Sequence, residues 1–192
     1  MTGKTHIAIG VTVGLILSDG QPIENKIILV LSAALGSLVP DLDHPKAKLN
    51  QKLLIFKNKL YSSLFYFALT AGFACLFLFS GNFVFKLLGI LSFLIGTSNH
   101  RGFTHSIIGF LLFSWMVKLV TSEYQLNSIY LGFTTGYMLH LIADFFTLKG
   151  IKLFFPVNEN ISSPIILKPN TILEELIFIC LSIYSLFLLI WG

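Results

Sequence analysis

Strongly apolar blocks recur along the whole chain, from THIAIGVTVGLILS at one end to LIFICLSIYSLFLLIWG at the other. No other feature constrains the fold as much. About 20 apolar residues cross the hydrocarbon of a bilayer as a helix, and inside hydrocarbon the backbone must satisfy its own N–H and C=O groups, which a helix does within one segment. The chain is 55% hydrophobic and 11% charged, with a mean hydropathy of +0.82, outside the range of water-soluble domains. No stretch is polar enough to fold as a separate soluble unit and no solenoid period is visible, so residues 1–192 read as a single integral membrane domain. The first block, with only Lys4 before it and no small-residue cleavage pattern after it, reads as a first helix rather than a removable signal.

The periodic segments predict seven helices over residues 4–18, 24–39, 61–80, 83–98, 104–121, 128–147 and 171–191. The first two are short for a full crossing, so that pair is either a thin crossing or a re-entrant hairpin. Links such as SDGQPIEN and SGN carry the residues that turns need; the segments 40–60 and 147–170 are longer and more polar. The fold class is therefore all-α: a polytopic transmembrane bundle of six to seven helices arranged in hairpins.

An out-and-back path brings four separated motifs to one membrane face. His6 opens the first helix, and the second helix returns Asp41, Asp43 and His44 of PDLDHP to that end. The next hairpin delivers His100, Arg101 and His105 of HRGFTHS, and the following one delivers His140 and Asp144 of HLIAD. All five histidines and three of the four aspartates fall in these motifs. Each motif also has a plainer reading. His140 and Asp144, four apart on one helix face, form a hydrogen-bonded packing pair; PDLDHP is a helix stop at Pro40; Thr104 or Asn99 caps a helix; and Thr171 with Glu174 makes a capping box for the last helix. Cys75 and Cys180 lie within apolar blocks and read as reduced packing residues. Convergence, not any single motif, points to function, because ionisable groups near hydrocarbon are costly.

Imidazoles together with carboxylates suit a borderline divalent metal, Zn²⁺ first, with Mn²⁺ or Mg²⁺ as alternatives. A catalytic ion keeps a position for water, whose pKa it lowers toward ~7. His6, Asp41, Asp43, His44, His100, His105, His140 and Asp144 are eight candidate ligands, more than one ion needs, so either one or two ions are held and the surplus residues orient the ligands. Arg101, the one arginine in the chain, offers a planar fork for a phosphate or carboxylate and is expected to bind substrate. The alternative for Arg101 is a structural pair with Asp41 or Asp43. Asp43 or His44 is expected to handle the proton.

PDLDHPKAKLNQKL, HRGFTHS, GYMLHLIAD and PIILKPNTILEELI resemble the signature segments of the YdjM family of bacterial inner-membrane proteins, described as membrane-bound metal-dependent hydrolases. HRGFTHS is the most specific of them, and the resemblance extends to the N-terminal THIAIG. It implies that the eight residues above form the metal site. Relative to shorter members, the hairpin 61–98 is an insertion. The resemblance also implies a multi-pass location in the inner membrane.

Lys4, Lys46, Lys48, Lys52, Lys57, Lys59, Arg101, Lys149, Lys152 and Lys168 fall on the motif face, against Lys26, Lys86 and Lys118 on the other. The positive-inside rule therefore puts the motifs in the cytoplasm, where the lysines can also gather anionic headgroups. No basic run with interleaved aromatics suggests a nucleic-acid partner. The expected function is metal-dependent hydrolysis of a phosphoester in a phospholipid or lipid-linked substrate, with membrane lipids as partners. The alternative is a metal-ion transporter or a non-catalytic metal-binding adaptor. A transporter should place its ligands near the bilayer midplane, whereas these lie at helix ends.

Overall fold

A computed structural model describes residues 1–44, 50, 58–98 and 101–191. Among them are seven helices: α1 (Gly3–Leu17), α2 (Ile23–Gly36), α3 (Lys59–Ser80), α4 (Phe83–Thr97), α5 (Ile107–Glu123), α6 (Asn127–Phe145) and α7 (Ile172–Trp191). Two short 3-10 turns, Val39–Asp43 and Phe103–His105, interrupt the helical path. The described residues hold no strand, only isolated bridges Thr147–Leu167 and Ile151–Ile161 within the long loop. The fold is the all-helical bundle expected.

Local chemistry explains several of the helix ends. Asn58 and Asn82 cap α3 and α4 by accepting from the N–H groups of Tyr61 and Val84, both at 2.9 Å. Gly81 closes α3 in the left-handed conformation, φ 67°. Two ends differ from expectation. The second helix stops at Gly36, and the chain tightens into the 3-10 turn around Pro40, which has no N–H to continue an α-helix. The fifth helix begins at Ile107 with Ser106 as its cap, its hydroxyl accepting from Gly109 N–H at 3.0 Å. Thr104 is spent elsewhere, and Asn99 lies outside the described residues.

The tightest packing is that of α2 on α6, two helices that form the most extensive pair. Gly132 and Gly136 allow it, because a Cβ on either would run into the carbonyl of Leu29 or Ala33 on α2. Small residues four apart let two backbones meet where lipid supplies no hydrophobic drive for association. Tyr66, Ile95, Phe113, Tyr137, Leu141 and Ile151 form the buried apolar cluster that ties α3, α4, α5, α6 and the long loop together.

Three segments are long and apolar enough to cross a membrane: Ile23–Asp43, Lys59–Ser80 and Ile172–Trp191. α3 and α7 turn most of their apolar surface outward; Phe79 is 91% exposed and Ile172 82%, as lipid-facing helices require. Cys75 and Cys180, expected as packing residues, are free thiols on these exposed faces. α1, at 15 residues, covers roughly 22 Å at 1.5 Å per residue.

The base of the α3–α4 hairpin is fastened to the turn Val39–Asp43. Lys59 Nζ donates to the carbonyls of Asp43 (3.4 Å) and Ser98. Buried Asn50 donates to the carbonyls of Leu42 and His44 at 2.7 and 2.9 Å and accepts from Tyr66 Oη at 2.7 Å. At the same end, Glu174 of α7 accepts from Thr2 N–H (2.6 Å), Thr5 Oγ1 (3.0 Å) and Asn170 N–H (2.7 Å). The capping box expected of Thr171 and Glu174 does not form: Thr171 Oγ1 donates to the Lys168 carbonyl at 2.8 Å, and Glu174 instead clasps the start of α1.

Candidate metal centre

Four side chains from three elements converge at this end: Asp41 from the first 3-10 turn, His105 from the second, and His140 and Asp144 from α6. One ligand atom from each lies within 4.8 Å of all the others. His105 Nε2 stands 3.6 Å from Asp41 Oδ1 and 3.7 Å from Asp144 Oδ2. His140 Nε2 is 3.8 and 3.9 Å from the same oxygens, and the two Nε2 atoms are 3.2 Å apart. His105, His140 and Asp144 are buried, and Asp41 is partly open.

The groups behind the ligands fix their direction. Gly136 brings α6 against α2, and one turn later His140 Nδ1 meets the Ser37 carbonyl at 2.7 Å. A carbonyl only accepts, so Nδ1 carries the proton and Nε2 presents its lone pair inward. His105 Nδ1 lies 3.1 Å from Thr104 Oγ1, which donates to Asp43 Oδ2 at 2.6 Å. With its proton committed to Asp43, the threonine oxygen accepts from Nδ1–H, and His105 Nε2 also faces inward. Tyr137 Oη donates to the Thr104 carbonyl at 2.6 Å and holds the turn in place.

The two Nε2 atoms, 3.2 Å apart, share a hydrogen bond in the absence of an ion, and a divalent ion would take the place of its proton. Four N and O atoms around a tetrahedral ion at ~2.0–2.2 Å stand roughly 3.3–3.6 Å apart, close to the separations found here. The residues thus fit a divalent ion, and the donor set without sulfur matches Zn²⁺, Mn²⁺ or similar metals. Without an ion, the same carboxylates hold a proton on this cluster. Burial opposes a charge on His105, but the Asp41 hydrogen bond and the Asp43, Asp41 and Asp144 carboxylates outweigh it and hold its pKa above the usual imidazole value.

The remaining expected residues fall around this cluster. Asp43 is fully buried but sits behind His105, 3.8 Å from Nδ1. His6 stacks on His140, ring centroids 3.9 Å apart, next to Asp144. His44 ends the first turn, partly exposed, and is not one of the four converging groups. His100 lies outside the described residues, as do Lys46, Lys48, Lys52 and Lys57. Among the described residues Arg101 pairs with neither Asp41 nor Asp43; it donates from Nη1 to Gly150 O (2.6 Å) and Thr147 Oγ1 (3.2 Å), with Nη2 3.5 Å from Asp144 Oδ2. Its Nε is buried without a hydrogen-bond partner among the described residues, and its backbone is left-handed, φ 61°.

Sequence reasoning missed Ser37, Thr147 and Tyr137 and read Thr104 only as a cap. Tyr137 and Thr104 lie inside motifs already singled out, whereas a backbone carbonyl such as that of Ser37 leaves no trace in residue type.

The description of the YdjM inner membrane protein family matches residues 1–191. The chain belongs to the YdjM family. YvsG of Bacillus subtilis (strain 168) is 30% identical over 189 residues, 96% of this chain and 92% of its own length. The inner membrane protein YdjM of Escherichia coli (strain K12) is 26% identical over 159 residues, 81% of this chain but 63% of that longer protein; YdjM of Shigella flexneri matches to the same degree. No solved structure matches.

Proposed function

We propose that this YdjM-family protein is a metal-dependent hydrolase of the bacterial inner membrane, with its site at the cytoplasmic face, that cleaves a phosphoester in a phospholipid or lipid-linked substrate. The observation that carries the reading is the inward convergence of two imidazole Nε2 atoms and two carboxylates at one end of the helices. A divalent ion bound there would supply Lewis acidity and a water of lowered pKa.

The chain's own residues have separate tasks in this reading. Asp41, His105, His140 and Asp144 hold the ion; Asp43 acts through Thr104 to keep His105 in register and is a positioning residue. Arg101 is steadied by Thr147 and Gly150, and its unpaired Nε–H is the donor left for a phosphate oxygen. His44, at the partly exposed end of its turn, is the group we assign to proton transfer.

One observation favours the second reading, a non-catalytic metal-binding adaptor: Arg101 Nη1 is already engaged by protein oxygens. The purified protein, assayed for bound metal and then for hydrolysis of phospholipids and isoprenoid phosphates, separates the two. Metal with phosphoester turnover, lost together in His140→Ala, supports the enzyme; full metal with no turnover on any lipid phosphoester leaves the adaptor. Arg101→Lys keeps the charge but not the planar fork, so turnover should fall about tenfold or more with metal content unchanged.

A further inference from the structure

α5, α6 and the loop after α6 enclose a cleft of about 280 Å³ whose lining side chains are all apolar. α6 supplies Met138, Ile142 and Phe145 from one helix face, α5 supplies Ile107 and Phe110, and the loop closes the remaining side with Ile151. The loop is fixed in that place. Ile107 N–H donates to the Leu153 carbonyl at 3.0 Å, and Ile151 and Ile161 exchange backbone bonds at 3.0 and 2.9 Å. Ile151 is fully buried, whereas Met138 and Ile142 are both 45% exposed, so the cleft is shut on the loop side and open along the helices, toward the bilayer.

The cleft adjoins the candidate metal centre by way of Arg101. Phe145 follows Asp144 in the chain, and Ile151 follows Gly150, whose carbonyl accepts from Arg101 Nη1 at 2.6 Å. Nη2 of the same guanidinium is 3.5 Å from Asp144 Oδ2. On α6 the apolar face is turned roughly a third of a turn from His140 and Asp144, so the cleft lies beside the centre, with Arg101 reaching both. Lys149 and Lys152 bracket Gly150 and Ile151, and the neighbouring Leu148 and Phe154 are 61% and 56% exposed. Cations alternating with exposed apolar bulk suit a loop that lies at a membrane surface.

We propose that this cleft takes one acyl chain of an anionic phospholipid, whose phosphate then lies at Arg101 beside the centre. The proposal rests on the reading of the protein as a lipid phosphoesterase and gives that reading a place for the substrate's tail. Charge complementarity selects the occupant: an apolar cleft that ends near a guanidinium and two lysines matches an amphiphile with an apolar tail and a negative head. A helix of a partner chain does not fit, since one turn ~10 Å across and ~5.4 Å high takes roughly 400 Å³.

The test reads occupancy rather than turnover. The full chain is placed in nanodiscs with a trace of phosphatidylglycerol that carries a diazirine midway along one acyl chain, irradiated, and its adducts are mapped by peptide mass spectrometry. Met138 and Ile142 should carry about tenfold more adduct than Phe79 of α3 and Ile172 of α7, the enrichment that a preference of ~1.4 kcal/mol for the cleft gives, although the latter two side chains are more exposed. Ile142→Trp fills the cleft and should abolish the excess at Met138, with bound metal as the check that the variant is folded; if it is not, the contrast within the parent decides. A diazirine diacylglycerol, which lacks the phosphate, should label the cleft less. Equal labelling of the cleft and of the outer faces of α3 and α7 means annular lipid only and overturns the proposal, as does an excess that survives in folded Ile142→Trp. Equal cleft labelling by the diacylglycerol overturns the placement of the phosphate at Arg101, and labelling by an isoprenyl phosphate probe in place of the acyl probe overturns the acyl chain. Cleft labelling in a protein that turns over no lipid phosphoester sinks the hydrolase reading alone, whereas turnover without it sinks the cleft and leaves the hydrolase.

Discussion

At the scale of single residues the centre depends on groups that never face it. Thr104 links His105 to Asp43 through one hydroxyl. Thr104→Val keeps the volume and removes the link, taking one hydrogen bond from the Asp43 carboxylate and one from the His105 ring. Loss of such an orienting partner typically lowers metal affinity 10–100-fold, and isothermal titration should show a drop of that order, with a stability cost of ~1.5–3 kcal/mol for the lost hydrogen bond to a charged group. Unchanged affinity would mean that packing alone orients His105. Because neighbouring carboxylates hold the His105 pKa up, the metal-free ring keeps its proton to a higher pH than usual, and that proton must leave when metal binds. Affinity should therefore weaken as pH falls, by up to about tenfold per unit below the His105 pKa; a flat profile from pH 5 to 7 would exclude His105 as a ligand. The candidate ligands were legible because histidine and aspartate are conspicuous in apolar sequence. Their supports were not: Ser37 contributes a carbonyl that any residue has, and Glu174 fits a local capping pattern while also reaching Thr2, 172 positions away.

Between elements, the geometry of the site is set by the separation of α2 and α6. A methyl group on Gly136 would strike the Ala33 carbonyl, push the helices apart and lengthen the contact between Ser37 and His140. Gly136→Ala should thus lower both the melting temperature and the metal content. Gly72→Ala on α3 is the control, since nothing lies within 4 Å of its added methyl; it should be neutral or stabilise by ~0.5–1 kcal/mol, the usual helix preference for alanine. Equal effects of the two substitutions would show that close packing is not what positions the centre. The seven helices could be read from apolar runs and turn residues because bilayer crossing imposes both. The two 3-10 turns could not, since the first forms at Pro40, which has no N–H to continue the helix, and neither turn has a length or a period to detect.

For the whole molecule, the described basic residues divide unequally: Lys4, Lys59, Arg101, Lys149, Lys152 and Lys168 lie toward the site end, while Lys26, Lys86 and Lys118 lie near the opposite ends of α2, α4 and α5. If that asymmetry orients the protein, then with Cys75 and Cys180 replaced by serine, a cysteine at position 168 should react with an impermeant maleimide only after the membrane is opened. One at position 19, in the link between α1 and α2, should react in intact cells. The reverse pattern would put the metal centre on the outer side and remove the cytoplasmic substrates from consideration.

The clasp of Glu174 on Thr2 and Thr5 also has a bearing on biosynthesis. His6 emerges from the ribosome early, whereas the carboxylate that seats its helix belongs to the last helix described. At ~5–20 residues per second of translation, roughly ten to thirty seconds separate the two. During that interval α1 waits in the membrane without its tether, and His6 is held beside His140 by helix packing alone. The final seating of α1 is thereby timed to the arrival of α7.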